Sequence, residues 1–438
     1  MKKGALFLWL FCLVGIGSAQ YADAGFGYWA GTENQLLGGI GLTKIDDQSY
    51  FSLGFRPELS FGKIGFGLNL NLLYNTDTGE IRAKDWDSGY DYFRVLRYLR
   101  YGRKMDPFYG RVGTLDASRL GHGFIVNYYT NESNYDDRKL GFEFDLDLGH
   151  FGFETMTSNL GRAELMGVRG YYRPLYGSHL PILKNFAVGG TIARDFDPDN
   201  WVASDDGVSV FGLDMELPII KTSVFNTMIY MDWAQINGFS SLENTTRDFG
   251  SGTAVGISAG LNNLLGLAEV QARVERRWLG EEFMPSFFDP FYELQRLQVI
   301  GEEDYHRTDQ LLGVKKTQGT FGELYGNLLG NKIRLLGSLS KLDNEPSGGM
   351  HLAADATEAI PVIAAHATYD KIGIIKTKDV FTLDNRSVAR VGLGYKIKPY
   401  LVLYMDYIWS FTETEPGSRI FKPQERVEPK VLFVYNFK

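Results

Sequence analysis

Pro429-Lys430-Val431-Leu432-Phe433-Val434-Tyr435-Asn436-Phe437-Lys438 alternates along most of its length. Successive side chains of a strand point to opposite sides, so Val431, Phe433, Tyr435 and Phe437 share one face. Lys430, Asn436 and Lys438 share the other with Leu432 and Val434. One face is four large apolar groups and the other is wetter. A strand that closes a chain has an open edge, and something else must pair it.

The same alternation recurs upstream. Gly141, Glu143, Asp145 and Asp147 interleave with Leu140, Phe142, Phe144, Leu146 and Leu148, and Glu269, Gln271, Arg273 and Glu275 interleave with Ala268, Val270, Ala272 and Val274. Read in this way, residues 36–438 hold about 20 strands, with 16–20 compatible with the pattern. Connections such as 60–62, 148–150, 218–221, 264–266 and 398–400 are short. Those at 75–90, 116–138, 195–206, 235–250, 279–319, 371–388 and 412–427 are long and fall on the opposite end. The connection 174–184, with Pro174 and Pro181, breaks this rule. Strand 91–102 competes with a helix, because Arg94, Arg97, Arg100 and Arg103 recur every three residues. Alternation alone is equally that of a soluble sandwich, whose apolar face turns inward rather than toward lipid.

At the other end, Lys2 and Lys3 precede the apolar run from Ala5 to Ile16, and Gly17-Ser18-Ala19 supplies small residues. This predicts a secretory signal over 1–19, removed from the fold, and a glycine- and polar-rich lead-in over 20–35. Cys12 is the only cysteine and lies within the signal, so disulfides and thiolate metal sites are excluded. Beyond it no apolar run is long enough for a membrane helix. The net charge of −8 speaks against nucleic acid as a partner.

The terminal strand resembles the C-terminal assembly signal of bacterial outer-membrane β-barrel proteins, an alternating strand closing on an aromatic, although Lys438 follows Phe437. With the signal and the loop rhythm, the resemblance implies an all-β, antiparallel transmembrane β-barrel with short periplasmic turns and long extracellular loops. It also implies the outer membrane of a Gram-negative bacterium as location, and outer-membrane lipid, the barrel-assembly machinery and small solutes as partners. The porin-like function it implies is passive or weakly selective solute passage. The alternative is a closed barrel acting in surface attachment or as a partner for envelope proteins. Trp233, Trp278, Trp409 and Tyr74 are candidates for interfacial girdles.

Chemistry-bearing patterns are few. Gly256-Ile257-Ser258-Ala259-Gly260 matches a nucleophile elbow, but the context is a strand with no helix following. His122, His150, His179, His306, His351 and His366 are scattered, and no nucleophile accompanies them, so we expect no enzyme and no cofactor. Asp195, Asp197, Asp199 and Asp206 offer oxygen ligands of the kind calcium uses, yet Asn200 stands where the helix-loop-helix motif needs glycine. An Asp-rich solvated turn is the plainer reading. Gly121, His122, Gly123, Asn127 and Tyr128 belong to a segment that either constricts the pore as an inward loop or adds a wall strand. Asp289 and Pro290 can start a short helix within 279–319. The lumen-facing candidates are Arg56, Arg111, Arg273, Arg277, Arg334 and Arg390, with Glu143, Asp145, Asp147, Asp214, Glu216, Asp232, Glu269, Glu275 and Asp406. If they face water, reversing their charge shifts selectivity at little cost.

Overall fold

The computed structural model describes residues 35–436 apart from 46–47, 87–91, 93–94, 105, 132–138, 163, 199–205, 301–302, 331, 344–347, 375–376, 385–386 and 414–420. The signal at 1–19, nearly all of the lead-in, and Phe437 and Lys438 therefore lie outside the described residues.

Twenty antiparallel strands form one closed sheet. They are β1 (Gln35–Ile45), β2 (Gln48–Phe61), β3 (Ile64–Leu68 with Leu70–Asn75), β4 (Leu96–Tyr101), β5 (Phe108–Gly113), β6 (Gly141–Asp147), β7 (Phe151–Thr157), β8 (Leu165–Tyr172), β9 (Ala187–Asp195) and β10 (Val208–Lys221). The circuit continues through β11 (Phe225–Ser240), β12 (Thr245–Leu264), β13 (Ala268–Leu279), β14 (Thr317–Leu328), β15 (Ile333–Leu342), β16 (Gly348–Asp355), β17 (Ile363–Ile374), β18 (Ser387–Lys398), β19 (Leu401–Glu413) and β20 (Phe421–Asn436). Each strand pairs with its neighbours in sequence, and β1 pairs with β20 from Gln35↔Asn436 to Gly41↔Lys430. Gly39 permits that seam, since a Cβ there would stand 2.8 Å from Leu432. Inside it, Leu432 packs on Ala364, Val402 and Tyr404.

The apolar face is the outer one. Val431, Phe433 and Tyr435 of the terminal strand are exposed, as are Leu213 of β10, Leu393 of β18 and Leu403 of β19. A band of exposed apolar side chains around a closed sheet suits hydrocarbon, where every backbone polar group must be paired internally. Aromatics cluster at the short-turn end of this band: Phe61, Tyr101, Phe108, Phe151, Tyr172, Tyr395 and Tyr400 are all exposed. Of the anticipated girdle residues, Tyr74 and Trp278 are exposed, while Trp233 and Trp409 are half-buried.

Three boundaries differ from the sequence reading. The interval 235–250 is no long loop, because β11 and β12 run on as a tall hairpin turned over 241–244. The arginine-rich strand shrinks to Leu96–Tyr101 and is extended: Arg100 and Tyr98 face inward while Leu99 and Tyr101 face out. The segment 116–131 adds no wall strand, since β5 pairs directly with β6. The proposed short helix is present as one turn, Tyr292–Gln295, with the Asp289 carboxylate accepting the Phe291 N–H at 2.9 Å.

Many inward glycines share one role. A Cβ at Gly67 would stand 2.7 Å from the Tyr98 ring, one at Gly65 2.7 Å from the Arg100 guanidinium, and one at Gly256 would strike the Tyr230 ring. Each bare backbone position lets a large side chain of the next strand lie flat on the inner wall.

Leu213→Arg, on the outer face, should cost assembly about 2–4 kcal/mol where it meets the bilayer midplane. Gln271→Arg, half-buried on the inner face toward the short-turn end, should be tolerated. Folding titrations in lipid vesicles check the pair, and equal losses would contradict the assignment of faces.

Candidate functional site: the loop-filled interior

Two long connections fold into the barrel. In the first, Ser118 and Tyr129 exchange backbone hydrogen bonds, closing a hairpin-like loop whose tip carries Gly121 and Gly123 at positive φ. The second, from Gly280 to Lys316, lies against it: the Asn127 N–H donates to Phe288 O at 3.0 Å, the Phe288 N–H to Ile125 O at 3.1 Å, and the Ser286 N–H to Phe124 O at 2.7 Å. Phe124, Val126 and Tyr129 of one loop, and Phe283, Phe287, Phe288 and Tyr292 of the other, join one buried cluster with Val208 and Val210 of β10 and Ala234 and Ile236 of β11. The interior at the long-loop end is thus an apolar core, and the two loops form a single plug.

Charges fasten the plug to the wall. Arg119 reaches Glu323 of β14 with both carboxylate oxygens within 3.1 Å, and its Nε donates to Asn127 Oδ1 at 2.9 Å. Arg273 shares Glu323 at 3.2 Å and donates to the His122 carbonyl. Gly121 N–H donates to Glu154 at 2.8 Å, and the Tyr128 ring lies 4.5 Å beneath Arg119. His122 stacks on Tyr230 with ring centroids 4.0 Å apart. Its Nδ1 faces Asp232 at 2.9 Å and its Nε2 faces Glu216 at 3.1 Å. Two ring nitrogens facing two carboxylates is the arrangement of an imidazolium, which donates from both.

The remaining candidates divide between two walls. On β6 to β14, Glu143 accepts from Tyr109 Oη at 2.8 Å, Asp145 holds Lys104 at 2.9 Å, Asp147 holds Arg173 at 2.7 Å, and Asp214 takes Arg169 at 2.6 Å. Glu275 accepts from Tyr230 Oη at 2.8 Å and pairs with Arg277 at 2.6 Å, and Arg277 covers the Phe321 ring at 4.0 Å. Arg111, on the neighbouring β5, pairs with Asp116 and lies over Tyr98. Glu269, nearer the short turns, is half-buried. On the facing wall Arg56 donates to Asn69 at 2.8 Å, Arg334 lies 3.6 Å from Asp355, and Arg390 and His366 converge on Asp406 at 2.5 and 3.1 Å.

Water contact is therefore uneven, and the expectation of cheap charge reversal does not hold for the first wall. Arg273, Arg277, Glu275, Asp214 and Asp232 are buried, whereas the side chains of Arg334, His351 and Asp370 keep 35%, 33% and 48% of their surface. Arg119, Glu154, Arg169 and Glu323 are principal ties that the sequence reading passed over. Arg273↔Glu323 is a direct cross-strand pair, and opposite charges at the same phase of neighbouring strands are the signal for it.

A second tie lies at the long-loop end. Lys139 pairs with Glu164 and with Glu293 at 2.6 Å, and Arg296 pairs with Glu164 at 2.7 Å and with Asp195 at 3.1 Å. Asp195 also accepts from Tyr292 Oη at 2.8 Å. The calcium candidates are accordingly engaged otherwise: Asp195 holds the plug, the Asp197 carbonyl accepts from Arg296 at 2.6 Å, and Asp206 lies 3.7 Å from His306. Asp199 lies outside the described residues, and among those described no three His, Cys or carboxylate groups are placed to hold a metal. Ser258 stands in mid-strand on β12, which continues to Leu264.

The closed sheet, apolar outer band and charged, loop-filled interior define a transmembrane β-barrel of the outer-membrane type. No family model and no curated protein matches the chain. Among solved structures it is similar to Wzi of Escherichia coli, described as a carbohydrate-binding outer-membrane barrel involved in group 1 capsule assembly, at 11% identity and a TM-score of 0.36 over 93% of this chain and 85% of that one. It is also similar to the outer membrane protein opdK of Pseudomonas aeruginosa, at 10% identity and a TM-score of 0.31 over 92% and 98%. For CdiB of Acinetobacter baumannii the identity is 9% and the TM-score 0.31 over 92% of this chain, which spans 60% of that one.

Glu323→Gln leaves Arg119 and Arg273 short of their shared counter-charge and should destabilise the plug by about 3–5 kcal/mol, read as faster proteolysis of 280–316 while the barrel stays assembled. Acid should act on the second tie. Burial alone raises the Glu164 carboxyl, but Lys139 and Arg296 outweigh it and hold it at about 2. A depressed folded-state pKa contributes stability above the ordinary glutamate range and loses it as pH falls. Loop protection should thus be intact at pH 6 and vanish between about pH 4.5 and about pH 2. Protection that persists unchanged to pH 2 would contradict the role given to Glu164.

Proposed function

We propose that the protein is an outer-membrane channel in which small solutes pass off-centre, between the plug and the wall of β15 to β20 and β1 to β3. The observation that supports this is the uneven exposure of the inner charges. Asp214, Asp232, Arg273, Glu275 and Arg277 of β10 to β13 are buried around the plug, with Asp147 near the short turns more open. On the facing wall Arg334, His351, Asp370 and, less so, Arg390 meet water around a buried Asp406. Inner glycines keep that wall flat, since a Cβ at Gly392 would strike His366 and Asp406 and one at Gly394 would stand 2.7 Å from Val402. Paired charges of both signs orient water and solutes without selecting strongly for either ion. In this reading the long loops face outward and the short turns face the periplasm, with assembly by the barrel-assembly machinery.

Leu342 of β15, packed on the plug's core, favours a second reading, in which the plug closes the barrel and the protein serves attachment or an envelope partner. Conductance across a planar bilayer separates the two. Deleting Gly121 through Tyr129 should raise single-channel conductance, and Arg334→Glu, outside the plug, should move the reversal potential toward cation preference in a salt gradient. An assembled barrel silent both before and after the deletion would sink the channel and leave the closed barrel.

A further inference from the structure

Eight of the nine connections at the short-turn end hold seven residues or fewer, whereas 173–186 holds fourteen. Its backbone is tied down. Arg173 grips Asp147 at 2.7 and 2.9 Å, its N–H donates to His150 O at 2.7 Å, and Leu183–Asn185 forms a 3-10 turn. The Tyr176 ring lies 4.5 Å from that of His150 and so close over Gly149 that a Cβ there would stand 2.6 Å from its hydroxyl. Yet the apolar side chains point away from the protein: Leu180 is 56% exposed, Ile182 45% and Leu183 40%. An ordered turn that holds several large apolar groups in the open marks a surface that something covers.

Two observations identify the cover as lipid. First, the turn is continuous with the lipid-facing band. Leu183–Asn185 packs against β10, which runs to Lys221 past its last pairing with β9 at Ala187↔Glu216. Ile219 and Ile220 are exposed on that overhang, and outward-facing Phe151 and Tyr172 flank the turn's other side. Second, the charge is one-sided. In a chain of net charge −8, residues 173–186 hold no acid. Asp147 pairs Arg173, which leaves Lys184 and His179 on the turn, and Lys221 ends the strand against which Leu183–Asn185 packs. Apolar groups at the edge of a membrane band with basic groups among them match a phospholipid interface, where the first enter the acyl boundary and the second meet phosphate.

We propose that 173–186 is an interfacial foot that inserts Leu180, Ile182 and Leu183 into the phospholipid leaflet at the short-turn end, with Lys184 at headgroup phosphate. The test uses the full chain with Cys12→Ser, which removes the only native cysteine. Single cysteines at Leu180→Cys and Ile182→Cys carry a nitrobenzoxadiazole label. The labelled barrels are folded into phosphatidylcholine–phosphatidylglycerol vesicles containing shallow doxyl-labelled lipid, with heat-modifiable migration as the check on assembly. Val188→Cys on the outer wall gives the lipid reference and Lys315→Cys at the long-loop end the water reference. Quenching at 180 and 182 at least threefold that at 315, weakened by Lys184→Glu, is expected. Quenching no greater than at 315 overturns the proposal. Labels that are water-exposed in vesicles but shielded in native outer membranes overturn it in favour of a protein partner.

Discussion

Everything in this molecule depends on closing the sheet. In hydrocarbon an unpaired backbone N–H or C=O costs several kcal/mol, so twenty strands are stable there only because β1 and β20 pair and leave no edge. Closure also separates two solvents. The outer face meets lipid, and the inner face is free to carry charge wherever that charge is paired or wet. The seam needs a small residue at one point: Gly39 of β1 faces Leu432 of β20, where a Cβ would stand 2.8 Å away, while Leu36, Leu37 and Ile40 of β1 face Tyr435, Val434 and Val431.

The interior solves a second problem. A barrel of this size encloses more space than wall side chains fill, and the chain fills part of it with its own loops. Those loops bring an apolar core with them, which the wall must match. β10 and β11 do so where Val208, Val210, Ala234 and Ile236 point inward. Below this level the inner face returns to charge. Burying ion pairs such as Arg273–Glu323 is costly unless both partners keep close geometry and further hydrogen bonds, and Arg119 supplies the third member. The result is a plug fixed by directional ties at its rim and by packing at its centre.

Much of this was legible in residues. Alternation in 141–148 and 268–275 fixed which groups face inward, and the tail's Val431, Phe433 and Tyr435 lie on the lipid face as the pattern requires. The count of about 20 strands read from the alternation agrees with the twenty of the closed sheet. The plug was half-legible. Gly207-Val208-Ser209-Val210-Phe211-Gly212-Leu213 is apolar at both phases, a departure from barrel alternation that signals an apolar partner inside, though nothing in it says which loop supplies that partner. Only the fold brings Arg119 to Glu323, 204 residues apart. The strand reading of 91–102 holds over Leu96–Tyr101 although the repeat of Arg94, Arg97, Arg100 and Arg103 imitates a helix. A bulge between β3 and β4, where the register shifts past Gly67, absorbs the mismatch.

The off-centre plug gives the two walls different freedom. Residues of β6 to β14 are held by several partners at once: Arg169, for instance, binds Glu154, Asp214 and Glu216. Changing one of them disturbs the plug and the wall together. Across the lumen, Arg334 lies 3.6 Å from Asp355 and His351 2.7 Å from Asp370, with both basic side chains keeping about a third of their surface, and the glycines beneath Tyr404 and His366 set how far side chains project. The passage proposed along that wall could change its charge and width without disturbing the core, because the groups that would give it character are not the groups that hold the plug in place.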